Sequence, residues 1–320
     1  VNTQTRPRII AHRGAPGYLP EHCLPGKALA FAMGADFLEQ DVVATRDDEL
    51  VVLHDIHLDR VTNVAERFPG RARDDGRYYV RDFLLAELRE LQVWERFEAD
   101  GRAVYPGRFP TRCGNFRLHT FAEELQFLAA LNKKTNGSVG CYPEIKRPAW
   151  HREEGVDISR LFLATLTEHG YVERTDNVFL QCFDAAELRR IREQLNCRLR
   201  LVQLIGENSW GEGPTDFDSF KTAAGLQQLA RTVDGIGPWI GQLYRFVENN
   251  RSHDVKATTL VQDAQAAGLE VHPYTLRKDA LPEGFSSFEA LHGFCRNVLK
   301  VDGVFTDFTD ISLDLFSEKV

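Results

Sequence analysis

Four short clusters carry side chains that can do chemistry. The first is HRGAPGYLPEH, from His12 to His22. It joins an imidazole to Arg13, whose guanidinium fork can grip a phosphate or carboxylate through paired donors. Gly14 follows and permits a tight turn. The second is Glu39-Gln40-Asp41. Residues two apart on a strand share a face, so the two carboxylates stand side by side. Like charges so placed repel and are costly to bury, and a divalent cation relieves both problems. The alternative is an exposed strand end with two solvated acids. The third is Pro143-Glu144-Ile145-Lys146, where Glu144 and Lys146 share a face by the same rule. Glu144 offers a third carboxylate and Lys146 a positive charge; the alternative is an internal ion pair. The fourth, His54-Asp55, adds an imidazole to that of His12.

Two histidines of near-neutral pKa suit acid–base work, one taking a proton from a nucleophile and one giving a proton to a leaving oxygen. All-oxygen ligation favours a hard cation, Ca²⁺ or Mg²⁺, over zinc. A hard cation with Arg13 and Lys146 points to a phosphate ester.

These residues need elements to hold them. Short apolar runs stand at 8–12, 36–43, 50–55, 140–146, 178–183, 200–205, 234–240, 269–275 and 303–308. Amphipathic stretches such as TFAEELQFLAALN and DAAELRRIREQL lie between most of them, as in a βα architecture. Thr120 to Glu123 reads as a capping box, and Asp184 to Glu187 repeats the pattern. Only ATRDDE separates the second run from the third, too short for a parallel crossover. The third run is therefore expected as the return arm of an antiparallel hairpin turning at Asp47–Asp48, with Asp41 opposite His54. Eight parallel strands remain, the number of a (β/α)₈ TIM barrel. Residues 56–117 break the rhythm and read as a small inserted domain, leaving 1–55 and 118–320 as the barrel.

The chain has 320 residues, 43% hydrophobic and 27% charged, as in an ordinary globular protein. No stretch approaches the roughly 20 apolar residues of a membrane span. A net charge of −8 disfavours nucleic acid as a partner but admits an anionic small molecule. Six cysteines contain no CxxC pair, so structural zinc has no support, while one or two disulfides remain open. Strand parity turns Cys141 and Cys182 toward the helix layer.

AHRGAPGYLPEH, LEQDVVATRDDELVVLHD, YPEIK, LQCF and VHPYT, in this order, resemble the glycerophosphodiester phosphodiesterase family, most of all its bacterial periplasmic enzymes. The resemblance spans nearly the whole chain and includes PGRARDDGRYY in the insertion. It implies a (β/α)₈ barrel with an inserted small domain. It implies His12 and His54 as the catalytic pair, and Glu39, Asp41 and Glu144 as ligands of Ca²⁺ or Mg²⁺. Arg13 and Lys146 match phosphate-contacting positions. Glu21 matches the site floor, and Gln181, Phe183 and Tyr274 match the pocket wall. The alternative for the aromatic pair is barrel core. Trp239 departs from the pattern, which leads one to expect a more polar residue. The implied reaction hydrolyses a glycerophosphodiester to sn-glycerol 3-phosphate and an alcohol through a cyclic phosphate. The alternatives are a lysophospholipase D-like enzyme and an inactive surface binding protein. The resemblance also implies a periplasmic or otherwise exported protein, and VNTQTRPRII at the start of this chain contains no signal peptide.

Overall fold

The apolar runs fold as strands. A computed structural model describes residues 6–249 and 252–317. Its strands are β1 (Arg8–Ala11), β2 (Phe37–Ala44), β3 (Leu50–Val52), β4 (Gly140–Ile145), β5 (Phe179–Cys182), β6 (Arg200–Ile205), β7 (Gly235–Pro238), β8 (Tyr244–Asn249), β9 (Ser252–Ala257), β10 (Glu270–Val271) and β11 (Gly303–Thr306). Parallel pairing runs in the order β10-β7-β6-β5-β4-β2-β1-β11. Backbone bonds from Asp302 N to Val271 O (3.0 Å) and Leu276 N to Phe305 O (2.8 Å) bring the two ends together. Among the described residues, eight parallel strands thus form the expected (β/α)₈ barrel.

Alternation along the strands divides the core. Ile10, Phe37, Tyr142, Phe179, Val202 and Phe305 point inward and fill the barrel floor. Ile9, Leu38, Val42, Cys141, Leu180 and Cys182 point outward under the helices. Helices are set by local signals. Thr120 Oγ1 accepts from Glu123 N (3.1 Å) and Glu123 Oε2 accepts from Thr120 N (2.7 Å), completing the expected box before helix Phe121–Thr135. Before helix Ala185–Glu193 only half of that box forms. Asp184 caps Glu187 N (3.1 Å), but the Glu187 carboxylate pairs with Arg152 and Arg190 instead.

The hairpin register differs from expectation by one residue. β3 is the antiparallel return arm, but Val43 lies opposite Val51 and Leu53 N bonds Asp41 O, so His54 is not the partner of Asp41. The cause is a three-residue loop, Arg46–Asp48, with Asp48 left-handed at φ 61° and Thr45 N bonded to Glu49 O (2.9 Å). A type I turn followed by a left-handed residue is a common hairpin closure. The hairpin β8–β9 was not foreseen. The six cysteines are all unpaired, so no disulfide forms.

Residues 56–117 carry short helices at Val64–Arg67 and Leu85–Leu88 and isolated bridges such as Thr62 with Val93. A separate apolar cluster holds them. Leu58, Val61, Val80, Phe83, Leu91 and Val93 pack on Val43, Val51 and Leu53 of the hairpin arm.

Candidate active site

Inward parity at the C-terminal ends of the strands delivers polar side chains above the aromatic floor. One cavity of about 210 Å³ is lined by His12, Arg13, Glu39, Asp41, His54, Glu144, Lys146, Gln181, Phe183 and Tyr274, with Trp210, Trp239, Thr275 and Arg277. Every expected site residue except Glu21 is on this wall. Glu21 stands behind it and accepts from Arg13 Nη1 (2.9 Å) and Arg96 Nη2 (2.6 Å). Burial opposes its charge, but these two guanidiniums hold its carboxyl well below the usual range.

After β1 the chain turns sharply. Arg13 is left-handed at φ 54° and Gly14 follows at φ 96°. A Cβ on Gly14 would meet Gly26 C at 3.1 Å and Lys27 N at 3.2 Å, so the turn requires glycine. The turn aims Arg13 N at Glu39 Oε2 (2.5 Å).

Each histidine of the pair is held by its own aspartate. His12 Nδ1 meets Asp307 Oδ1 at 2.6 Å, and His54 Nδ1 meets Asp55 Oδ1 at 2.6 Å. A carboxylate on Nδ1 keeps the ring proton there and leaves Nε2 as the base. Burial drives His12 down to about 3, against the upward pull of Asp307. Burial, then Arg13 and Lys146, lower His54. A ring carrying its one proton on Nδ1 can accept a second at Nε2, as a base does.

The carboxylates lie on neighbouring strands, with Asp41 paired to Glu144 in register. Burial and the charge of Asp41 push Glu39 up to about 8. Burial likewise raises Glu144, although Lys146 Nζ bonds its Oε1 at 2.8 Å. Asp41 stays ionised. Its burial is outweighed by Lys146, His54 and His22, and His22 Nε2 bonds its Oδ2 at 2.8 Å. Asp41 Oδ1 is buried without a hydrogen-bond partner. An orphaned oxygen among crowded acids fits a bound divalent cation. His22, Glu39 and Asp41 each offer a ligand atom, all within 4.8 Å of one another. Among the described residues Glu144 is outside that set, its carboxylate being drawn to Lys146. His22 is inside it, and burial lowers its pKa to about 4.

The opposite wall is aromatic. Phe183 and Tyr274 pack edge to face at 6.1 Å, and Lys146 Nζ stands 5.7 Å from the Phe183 ring centre. Trp210 and Trp239 meet at 5.4 Å at the rim and are 42% and 38% exposed. Both rest on glycines: a Cβ on Gly206 would sit 3.0 Å from Trp210, and one on Gly241 2.5 Å from Trp239.

Sequence reasoning missed several partners. Asp307 lies just past β11 at the inward parity of Phe305, so the parity rule that found Glu39 and Asp41 also marks it. Arg277 Nε reaches Asp307 Oδ2 at 2.8 Å. Arg96 and Arg108 come from the insertion, where no periodicity points to them.

The chain matches the glycerophosphoryl diester phosphodiesterase family over residues 12–311. A Haemophilus influenzae glycerophosphodiester phosphodiesterase is 44% identical, covering 96% of this chain and 88% of that one. A Treponema pallidum protein of the same name is 38% identical over 95% of this chain and 90% of its own. A phosphodiesterase from Oleispira antarctica, solved with the product sn-glycerol-3-phosphate, superimposes with a TM-score of 0.63 at 19% identity, covering 98% of each chain. The barrel and the motif order point the same way as these matches, and the chain belongs to the glycerophosphoryl diester phosphodiesterase family.

Proposed function

We propose that this protein hydrolyses glycerophosphodiesters to sn-glycerol 3-phosphate and an alcohol. The observation that carries the reading is one cavity lined by two histidines, each backed by an aspartate, and three buried carboxylates. Arg13 and Lys146 face the phosphate oxygens. One imidazole Nε2 takes the proton of the glycerol 2-hydroxyl, whose oxygen forms the bond to phosphorus. The bond from phosphorus to the leaving oxygen breaks, and the other histidine, which enters this step protonated at Nε2 as well as Nδ1, supplies that oxygen's proton. A cyclic phosphate remains, and water opens it with the two roles reversed. Ca²⁺ or Mg²⁺ at the carboxylates would act as a Lewis acid toward the phosphate oxygens. Glu39 and Asp41 would hold it, with His22 or Glu144 beside them. Residues 56–117 are proposed as one unit seated on the barrel, and the protein as an exported one.

The test is release of glycerol 3-phosphate from glycerophosphocholine, with EDTA and then with Ca²⁺ or Mg²⁺ restored. Metal-dependent release supports the reading, and no release with any metal refutes it. The exposed Trp210, Trp239 and Phe246 favour a second reading, a lysolipid substrate lying across the rim. Turnover of lysophosphatidylcholine in preference to glycerophosphocholine would establish that instead.

A further inference from the structure

Each histidine–aspartate pair ends on an arginine that the barrel does not supply. Asp55 holds His54 through Oδ1, and its Oδ2 accepts from Arg96 Nη1 at 2.7 Å. Asp307 holds His12 through Oδ1, and its Oδ2 accepts from Arg108 Nη2 at 2.7 Å, beside Arg277 Nε from the barrel at 2.8 Å. Both arginines are committed on their other edges. Arg96 Nε and Nη2 grip Glu21 at 3.0 and 2.6 Å, and Glu21 in turn holds Arg13. Arg108 Nε and Nη2 grip Asp279 at 2.7 and 3.0 Å, and its guanidinium lies 3.8 Å from the Tyr105 ring centre. The Arg108 side chain is 3% exposed and that of Arg96 17%. Rim ion pairs of no consequence are not buried this way.

The two arginines stand on one loop of the insertion. Val104 N bonds Arg96 O at 3.1 Å and Phe97 bridges Ala103, so the loop folds back on itself between them. Trp94 N to Val61 O (2.8 Å) and Phe97 N to Arg60 O (3.0 Å) tie it to the rest of the insertion.

We propose that Arg96 and Arg108 are positioning residues, one for each catalytic histidine, and that the loop carrying them aligns both pairs at once. A carboxylate that receives an imidazole on one oxygen and the N–H of an anchored guanidinium on the other is held against rotation. Its fixed plane sets the direction of the imidazole Nε2. Acid–base transfer needs such groups within about 0.5 Å and 10–20° of the productive geometry. The insertion is thereby part of the catalytic apparatus, although none of its residues touches the reacting atoms. The inference rests on the proposed roles of His12 and His54.

The test uses the full chain with Arg96→Ala, Arg108→Ala and the corresponding lysine variants. The downfield Nδ1–H resonances of His12 and His54 are followed by NMR, a readout that needs no substrate. Arg108→Ala should move or broaden the His12 signal and spare that of His54; Arg96→Ala should do the reverse. In turnover, each alanine variant should lose about 10–100-fold in kcat, with KM nearly constant for Arg108→Ala and raised for Arg96→Ala, which also loosens Glu21 and Arg13. Added guanidinium should restore part of the loss, and lysine should fall between alanine and wild type. Unmoved resonances, or equal disturbance of both by each variant, overturn the assignment. A matched fall in kcat and Tm without guanidinium or lysine rescue also overturns it, leaving a structural role alone. Wild-type protein that shows both resonances but no turnover counts against the proposed reaction, while the NMR arm still decides the positions.

Discussion

Replacing Asp307 with asparagine isolates what its carboxylate does for His12. The group is buried, with Oδ1 on His12 Nδ1 and Oδ2 on Arg108 Nη2 and Arg277 Nε, at 2.6, 2.7 and 2.8 Å. An amide keeps the shape but has one accepting oxygen and one donating NH₂. The two guanidiniums claim the oxygen, because an NH₂ facing them would set donor against donor. The NH₂ then faces His12 Nδ1, which must become an acceptor, so the ring proton moves to Nε2. An imidazole protonated at Nε2 and neutral overall cannot take a proton from the nucleophile. Positioned acid–base catalysis contributes about 10²–10⁴-fold, so kcat of Asp307→Asn should fall by about 10³. That fall corresponds to about 4 kcal/mol of barrier. KM should hold, because the substrate contacts are untouched. Removing a charge between two guanidiniums costs stability on the order of 1–3 kcal/mol, so Tm is measured with kcat. The assay is glycerol 3-phosphate release from glycerophosphocholine in saturating metal. A folded Asp307→Asn protein within about tenfold of wild-type kcat would refute both the tautomer argument and the role of His12.

Three further outcomes follow from buried charge and packing. Lys27 is fully buried and its Nζ pairs with Glu124 at 2.9 Å while also donating to Glu39 O. Lys27→Met takes the buried cation from Glu124 and leaves its carboxylate only Gln40 and His119; it should cost about 3–5 kcal/mol in a denaturant melt, with a loss below about 1 kcal/mol contradicting the account. Glu95 is buried, its Oε2 lacks a partner, and burial pushes it up to about 8. The folded chain therefore holds a proton that the unfolded chain has lost above its ordinary pKa of 4.5, and stability falls as pH rises from there through about 8. Glu95→Gln removes that slope: its stability should match wild type near pH 4 and exceed it most above about pH 8, by a gap on the order of 5 kcal/mol, and parallel stability–pH curves would contradict this. Gly241→Ala should push Trp239 off its seat and change the ranking of kcat/KM among leaving alcohols while Tm stays close to wild type; an unchanged ranking would mean that Trp239 does not meet the leaving group.

Period-two alternation made much of the barrel legible, because it says which side chains meet. It placed Glu39, Asp41, Glu144 and Lys146 on one wall, and Cys141 and Cys182 under the helices. It failed where a local backbone choice alters the count. The hairpin register turned on whether the loop held two residues or three, and left-handed Asp48 selected three. The return of the chain after Gly14 brought His22 onto Asp41, a contact that no spacing rule anticipates because it depends on the turn at Arg13. Asp307 was readable by parity and passed over, since it stands outside the motifs that drew attention.

The insertion was illegible for a deeper reason. Strand ends carry their own directional rule, so a residue's number fixes its face. Arg96 and Arg108 stand in a loop whose path is set by contacts with Val61 and Arg60 and by the apolar cluster beneath. Their charge alone reads as surface, the commonest fate of arginine. Only the carboxylates that await them, Asp55 and Asp307, give them a function. Those carboxylates in turn gain theirs from two histidines on the barrel. The carboxylate wall is thus written in strand periodicity, but the proposed alignment of the two histidines rests on a segment with none. A shift of that loop would therefore disturb both proton transfers while leaving the barrel wall intact.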